Sequence, residues 1–146
     1  MKELKGIKRL LVELFFLFSF GGFLYSSIEI GWRGYTHWTM WMVGGVCFIV
    51  VGLLNENQYT WEMSLILQIV ISTISITLLE LFAGIILNIL LKLNIWDYSQ
   101  QPFNFLGQIC PLYSFFWSIL SFFAIILDDY IRWLVFDEEK PKYRWI

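Results

Sequence analysis

SLILQIVISTISITLLELFAGIILNILL, residues 64–91, decides the fold. Apolar side chains dominate it for longer than the roughly 20 residues that carry a helix across about 30 Å of hydrocarbon. One acid, Glu80, stands near its middle. A carboxylate at bilayer depth costs on the order of 2.5–3.5 kcal/mol, so Glu80 is expected to face a bundle interior, a partner or a water-filled cavity. At 100° per residue, Thr73, Thr77, Glu80, Gly84 and Asn88 fall within an arc of about 80°. That stripe is expected to look inward. Read as packing alone it is a seam, with Gly84 permitting close approach and the polar groups bonding across helices. Read as a site it lines a polar passage centred on Glu80.

Three further apolar stretches flank this one, at 10–28, 38–54 and 108–127. The second is the shortest and fits where the bilayer thins, whereas 64–91 is long enough to tilt or project. Alternating ten-residue strands of a closed barrel are missing from the pattern. The expected fold is all-α membrane: a four-transmembrane-helix bundle with an ordered external loop between helices 3 and 4. The whole chain, 1–146, reads as a single integral-membrane domain with a short cytoplasmic tail at 128–146. With 58% apolar and 20% aromatic residues and a mean hydropathy of +0.66, a soluble domain of this length is excluded. The basic start before the first apolar run resembles a signal peptide, but 10–28 is long for one and Gly21-Gly22 makes no A-x-A cleavage site. An uncleaved first span is expected.

Charge placement sets the orientation. Lys2, Lys5, Lys8 and Arg9 precede the first span, and Arg132, Lys140, Lys142 and Arg144 follow the fourth, against Arg33 and Lys92 on the other side. Both termini are therefore expected in the cytoplasm, with the protein in the cytoplasmic (inner) membrane. Trp32, Tyr35, Trp38 and Trp41, joined by Trp96 and Tyr98, are expected at one interface; Tyr59, Trp61, Tyr130 and Trp133 are expected at the other. A net charge of −2 without a basic stripe gives nucleic acid no footing. Cys47 and Cys110 lack zinc spacing and His37 is the single histidine, so neither a metal nor a cofactor is expected.

At the exterior mouth the topology gathers Glu29, Arg33, His37, Asp97, Tyr98, Asn104 and Gln108. With the stripe on 64–91 they form the candidate ligand-binding set. Glu29 and Arg33 are one turn apart and read as a structural ion pair. Arg33 or His37 reaching down to Glu80 is the sharper expectation, because an isolated buried carboxylate otherwise tends to take up a proton. Pro102 and Asn104 suit a turn and the entry of the fourth helix. Ser114, Ser118, Ser121 and Asp128 share one face of that helix, and Gly44, Gly45 and Gly52 mark the second helix for close contact.

The strings HWTMWMVGG (37–45), CFIVVGLLNE (47–56), LLELFAG (78–84), NIWDYSQQPFNFLGQIC (94–110) and LDDYIRWLVFDEEKPKY (127–143) occur in that order. With them the chain resembles small bacterial membrane proteins labelled putative ABC transporter permeases, or type IV putative ABC transporters, over nearly its whole length. The resemblance carries Glu29, His37, Glu56, Glu80, Asp97, Asn104 and Gln108 as motif members. It implies a permease coupled to a separate ATPase subunit, since the chain has no GxxxxGK[ST] loop of its own. The expected function is permease-like transport or ligand binding around Glu80, in contact with membrane lipid and as a homo-oligomer or with other subunits. Two alternatives stay open: an intramembrane enzyme in which Glu80, His37 and Asp97 share acid–base work on a lipid or lipid-linked substrate, and a structural or regulatory membrane subunit.

Overall fold

The computed structural model describes residues 6–54 and 63–145. Four helices make up the fold: α1 (Ile7–Arg33), α2 (Trp38–Gly52), α3 (Leu65–Gly84) and α4 (Pro111–Phe136). A π-helical turn, Ile85–Leu90, continues α3 without a break. Among the described residues there is no strand, only an isolated bridge between Phe105 and Ile109. Ile7–Arg33 and Leu65–Leu90 are long and apolar enough to cross a membrane, and α2 is a shorter apolar helix. Lys2, Lys5, Glu56, Tyr59 and Trp61, with most of the 55–63 connection, lie outside the described residues.

Helix ends follow local chemistry. Gly34, at φ 80°, closes α1 by donating its N–H to the Ile30 carbonyl. His37 caps α2, its ring nitrogen accepting from the Thr39 N–H at 3.4 Å, and Ser64 caps α3 by accepting from Leu67 N–H at 3.3 Å. Pro111 occupies the first turn of α4, where its missing N–H costs nothing. The fourth helix thus enters at Pro111 rather than at Pro102 and Asn104, which lie in the preceding loop. It also continues beyond residue 127 to Phe136, so the first part of the expected tail is helical.

Packing runs α1 on α2 and α3 on α4, with α2 also touching α3 and α4. Gly44 and Gly45 permit the first contact: a Cβ at Gly45 would lie 2.6 Å from the Phe18 carbonyl oxygen, and one at Gly44 2.5 Å from Tyr25 Cβ. Val51, Leu65, Ile76 and Ile125 form the apolar centre. Around it, polarity is inverted relative to a soluble bundle. Glu13, Gln68, Ser72, Ser121, Asp128 and Arg132 are buried, while Phe15, Phe23, Ile74, Phe82, Phe115 and Leu134 are each more than half exposed. Such an apolar shell suits hydrocarbon, where polar groups must be satisfied inside the protein.

At one end of the bundle α1 and α4 are tied by charge. Arg132 pairs with Asp128 at 2.7 Å and with Glu13, and Arg9 donates to the Phe136 carbonyl. Gly52 makes room for Asp128, whose carboxylate occupies the space a Cβ would fill. The chain after α4 turns back over the bundle rather than hanging free. Tyr143 packs on the core and donates to Asp129 at 2.8 Å, and the Arg144 carbonyl accepts the Leu65 N–H at 2.6 Å.

Candidate binding cavity around Glu80

The buried line on α3 is Gln68, Ser72, Ile76, Glu80, Gly84 and, past the α-helical part, Asn88. It advances in steps of four, the inclined ridge that helices use to interlock, so it departs from the expected stripe at its N-terminal half. Thr73 and Thr77 are only half-buried. Thr73 donates to its own helix at the Ile69 carbonyl, 2.7 Å away, and Thr77 bonds Ser114 of α4 at 3.1 Å. Gln68, Ser72 and Ser121 continue the polar interior toward the charged end, a continuation that the 100° projection from Glu80 did not reach.

Glu80 is 7% exposed and held from two sides. Tyr98 OH donates to Oε1 at 2.9 Å, and Trp117 Nε1 donates to Oε2 at 2.8 Å. Burial, with the Glu80 charge beside it, pushes the Tyr98 phenol well above its ordinary value, so it keeps its proton and remains a donor. Tyr98 in turn stacks on Tyr113 with centroids 4.1 Å apart, and Trp117 stacks on Tyr25 at 5.9 Å. Neither Arg33 nor His37 reaches Glu80. Arg33 pairs with Glu29 and donates to the Ile95 carbonyl at 2.8 Å, while His37 faces Thr39 at the start of α2.

A cavity of about 640 Å³ opens in front of this carboxylate. Tyr25, Glu29 and Arg33 of α1, Met40 of α2, and Tyr113 and Trp117 of α4 contribute to its wall. A second cavity of about 330 Å³, almost wholly apolar, lies toward Gly21, Cys47, Phe48, Val51 and Phe123. Glu80, Trp96 and Trp117 border both. The carboxyl group therefore stands where an aromatic-rich chamber meets a smaller, almost wholly apolar one.

The loop 91–110 supplies Tyr98 because its own polar groups hold it in place. Asn88 Nδ2 donates to the Trp96 carbonyl at 3.0 Å and to Gln108 Oε1 at 2.8 Å, and its Oδ1 accepts the Ile95 N–H at 2.7 Å. Trp96 Nε1 returns to the Gln108 carbonyl at 3.1 Å. Asn104 bonds the carbonyls of Ser99 and Gln101 and the N–H of Gly107. Asp97 accepts from the Ser99 N–H and hydroxyl. Gln108 fits against Gly84, where a Cβ would lie 2.5 Å from its Oε1. Of the sequence candidates, Glu80, Tyr98, Glu29 and Arg33 line the larger cavity; Asn88, Asp97, Asn104 and Gln108 build the loop, and Thr73, Thr77 and His37 serve helices. Trp117 and Tyr25 also line the cavity, and nothing in the sequence pattern singles them out from the other aromatics of their apolar stretches. The Trp117 bond to Glu80 depends on the α3–α4 packing and its stacking on Tyr25 on the placement of α1 against α4.

Among the described residues no group of three or more His, Cys, Asp or Glu could hold a metal ion. A family model described as "Putative ABC-transporter type IV" matches residues 13–137. The chain belongs to that family. Membership of this type IV ABC-transporter family, with two helices apolar enough to span, marks a transport-related membrane protein. The family match runs from Glu13 to Asp137 and so takes in both the charged end and the Glu80 cavity. An ABC-transporter label also points to association with an ATPase subunit. No solved structure matches the chain.

Proposed function

We propose that this protein is a single-domain, four-span component of the cytoplasmic membrane, with both termini in the cytoplasm, that binds a small molecule at Glu80 as part of a permease-like transport process. The observation that carries the reading is the position of Glu80, buried, bonded by Tyr98 and Trp117, and bordering both cavities. A purely structural acid would be enclosed by its partners instead of fronting about 640 Å³ of space. That volume lies in the range typical of small-molecule sites. In this reading Glu29 and Arg33 shape the entrance, and Asn88, Asp97, Asn104 and Gln108 keep Tyr98 on the carboxylate. Both helix ends tied by Arg132 and Arg9 lie together, in keeping with termini on one side.

Intramembrane acid–base catalysis finds less support. His37 Nδ1 and the Asp97 carboxylate bond residues two positions along the chain, and neither residue lines the larger cavity with Glu80.

Native mass spectrometry of protein gently extracted from its own membrane, in wild-type and Glu80→Gln forms, tests the proposal. The expected result is a copurifying small mass that the folded variant loses; a stoichiometric ATPase in both samples would support the permease role, and subunit stoichiometry reports homo-oligomers. A folded Glu80→Gln protein that keeps every bound mass and full transport would sink the Glu80 site.

A further inference from the structure

The larger cavity is unbalanced in charge. Its wall carries Glu29, Arg33 and Glu80. Arg33 is committed to Glu29 and to the Ile95 carbonyl, and its guanidinium lies 4.8 Å from the centroid of the Tyr35 ring. Glu80 receives only neutral donors, Tyr98 and Trp117, and no described residue forms an ion pair with it. Two carboxyl groups thus share the wall with one guanidinium, and the one without an ionic partner among the described residues is the more buried.

Aromatic side chains make up much of the same wall. Tyr25, Trp96, Tyr98, Tyr113, Phe116 and Trp117 all belong to it. The face of each ring carries the negative part of its quadrupole and attracts a cation within about 6 Å, most strongly when water is excluded. A carboxyl group among such rings favours a cation twice, through Coulomb attraction once ionised and through the rings. The adjoining chamber, walled by Leu24, Val43, Phe48, Ile76 and Phe123, has room for an apolar body and little polar surface to satisfy it.

We propose that the Glu80 cavity takes a hydrophobic cation: a compact ammonium or phosphonium centre seated against the carboxylate and the aromatic rings, with its apolar body in the adjoining chamber. This inference rests on the binding function assigned above and names its ligand class. One feature favours the opposite sign, because Arg33 Nε is buried without a partner and would suit an acceptor. That donor belongs to a group already neutralised by Glu29, so it alters the local hydrogen bonding without reversing the charge of the wall.

An isosteric pair of probes separates charge from shape. Tetraphenylphosphonium and tetraphenylborate have nearly the same size and opposite charge, and their binding is measured by equilibrium dialysis against the full-length protein in lipid nanodiscs, with empty nanodiscs subtracted. The cation is expected to bind saturably and the anion at least about tenfold more weakly. Glu80→Gln should weaken the cation about tenfold or more while the elution profile of the protein stays unchanged. Should Glu80→Gln fail to fold, Phe116→Leu provides the second arm, expected to weaken cation binding between about twofold and thirtyfold through loss of one ring face. Equal binding of both ions, or preference for the borate, overturns the cation assignment and leaves the cavity as an amphiphile site. Binding of neither ion above empty nanodiscs, with no copurifying small mass, overturns the binding function as well.

Discussion

Each oxygen of the Glu80 carboxyl group accepts one bond from an aromatic side chain, and the two donors come from different parts of the chain. Replacing Trp117 by Phe keeps the ring and deletes the 2.8 Å bond to Oε2. The expected cost is about 0.5–3 kcal/mol of unfolding free energy, the range spanned by hydrogen bonds to neutral and charged groups. Unfolding in mixed micelles measures it, and an unchanged midpoint would mean that Oε2 is satisfied by another donor. Arg132→Met is expected to cost more, about 3–5 kcal/mol, because it removes the cation that the buried Glu13 and Asp128 carboxylates share. Glu80 was legible in the sequence as an acid inside an apolar run. Glu13 met the same criterion within the stretch 10–28 and was passed over, since its partner Arg132 lies at the far end of the chain.

Among the elements, the loop 91–110 carries the most backbone strain. Lys92, Asn94, Phe103 and Leu106 all have positive φ, between 49° and 56°. Left-handed geometry at such residues costs of order 1–3 kcal/mol each and persists only where surrounding contacts enforce it. Asn104 supplies three of those contacts, so Asn104→Ala is expected to raise amide hydrogen exchange across 97–108 and to release Tyr98 from Glu80. Protection that stays at the wild-type level would show that Asn88 and Asp97 suffice. The positions of all four helices could be read from apolar length alone. The loop's route could not, because it depends on side chains such as Asn88 and Gln108 meeting across 20 residues of sequence. Nor could the inward face of α3 be read fully, since helix crossing tilts it away from a straight 100° projection.

On the scale of the molecule, α1 and α4 are joined by Arg9, Glu13 and Arg132 at one end and by Tyr25 against Trp117 farther along, with the cavity beyond. Reporter domains fused to the two termini are expected to signal the same side of the membrane. Opposite signals would require an odd number of crossings and would remove the four-span topology. The last segment has a further consequence in time. A chain is made from its N-terminus, so when α3 first leaves the ribosome the acceptor for its Leu65 N–H does not yet exist. That acceptor is the Arg144 carbonyl, which appears only after α4 has been synthesised. The first turn of α3 is therefore completed by backbone made only after all four helices, so this bond forms later than the synthesis of the helix that it closes.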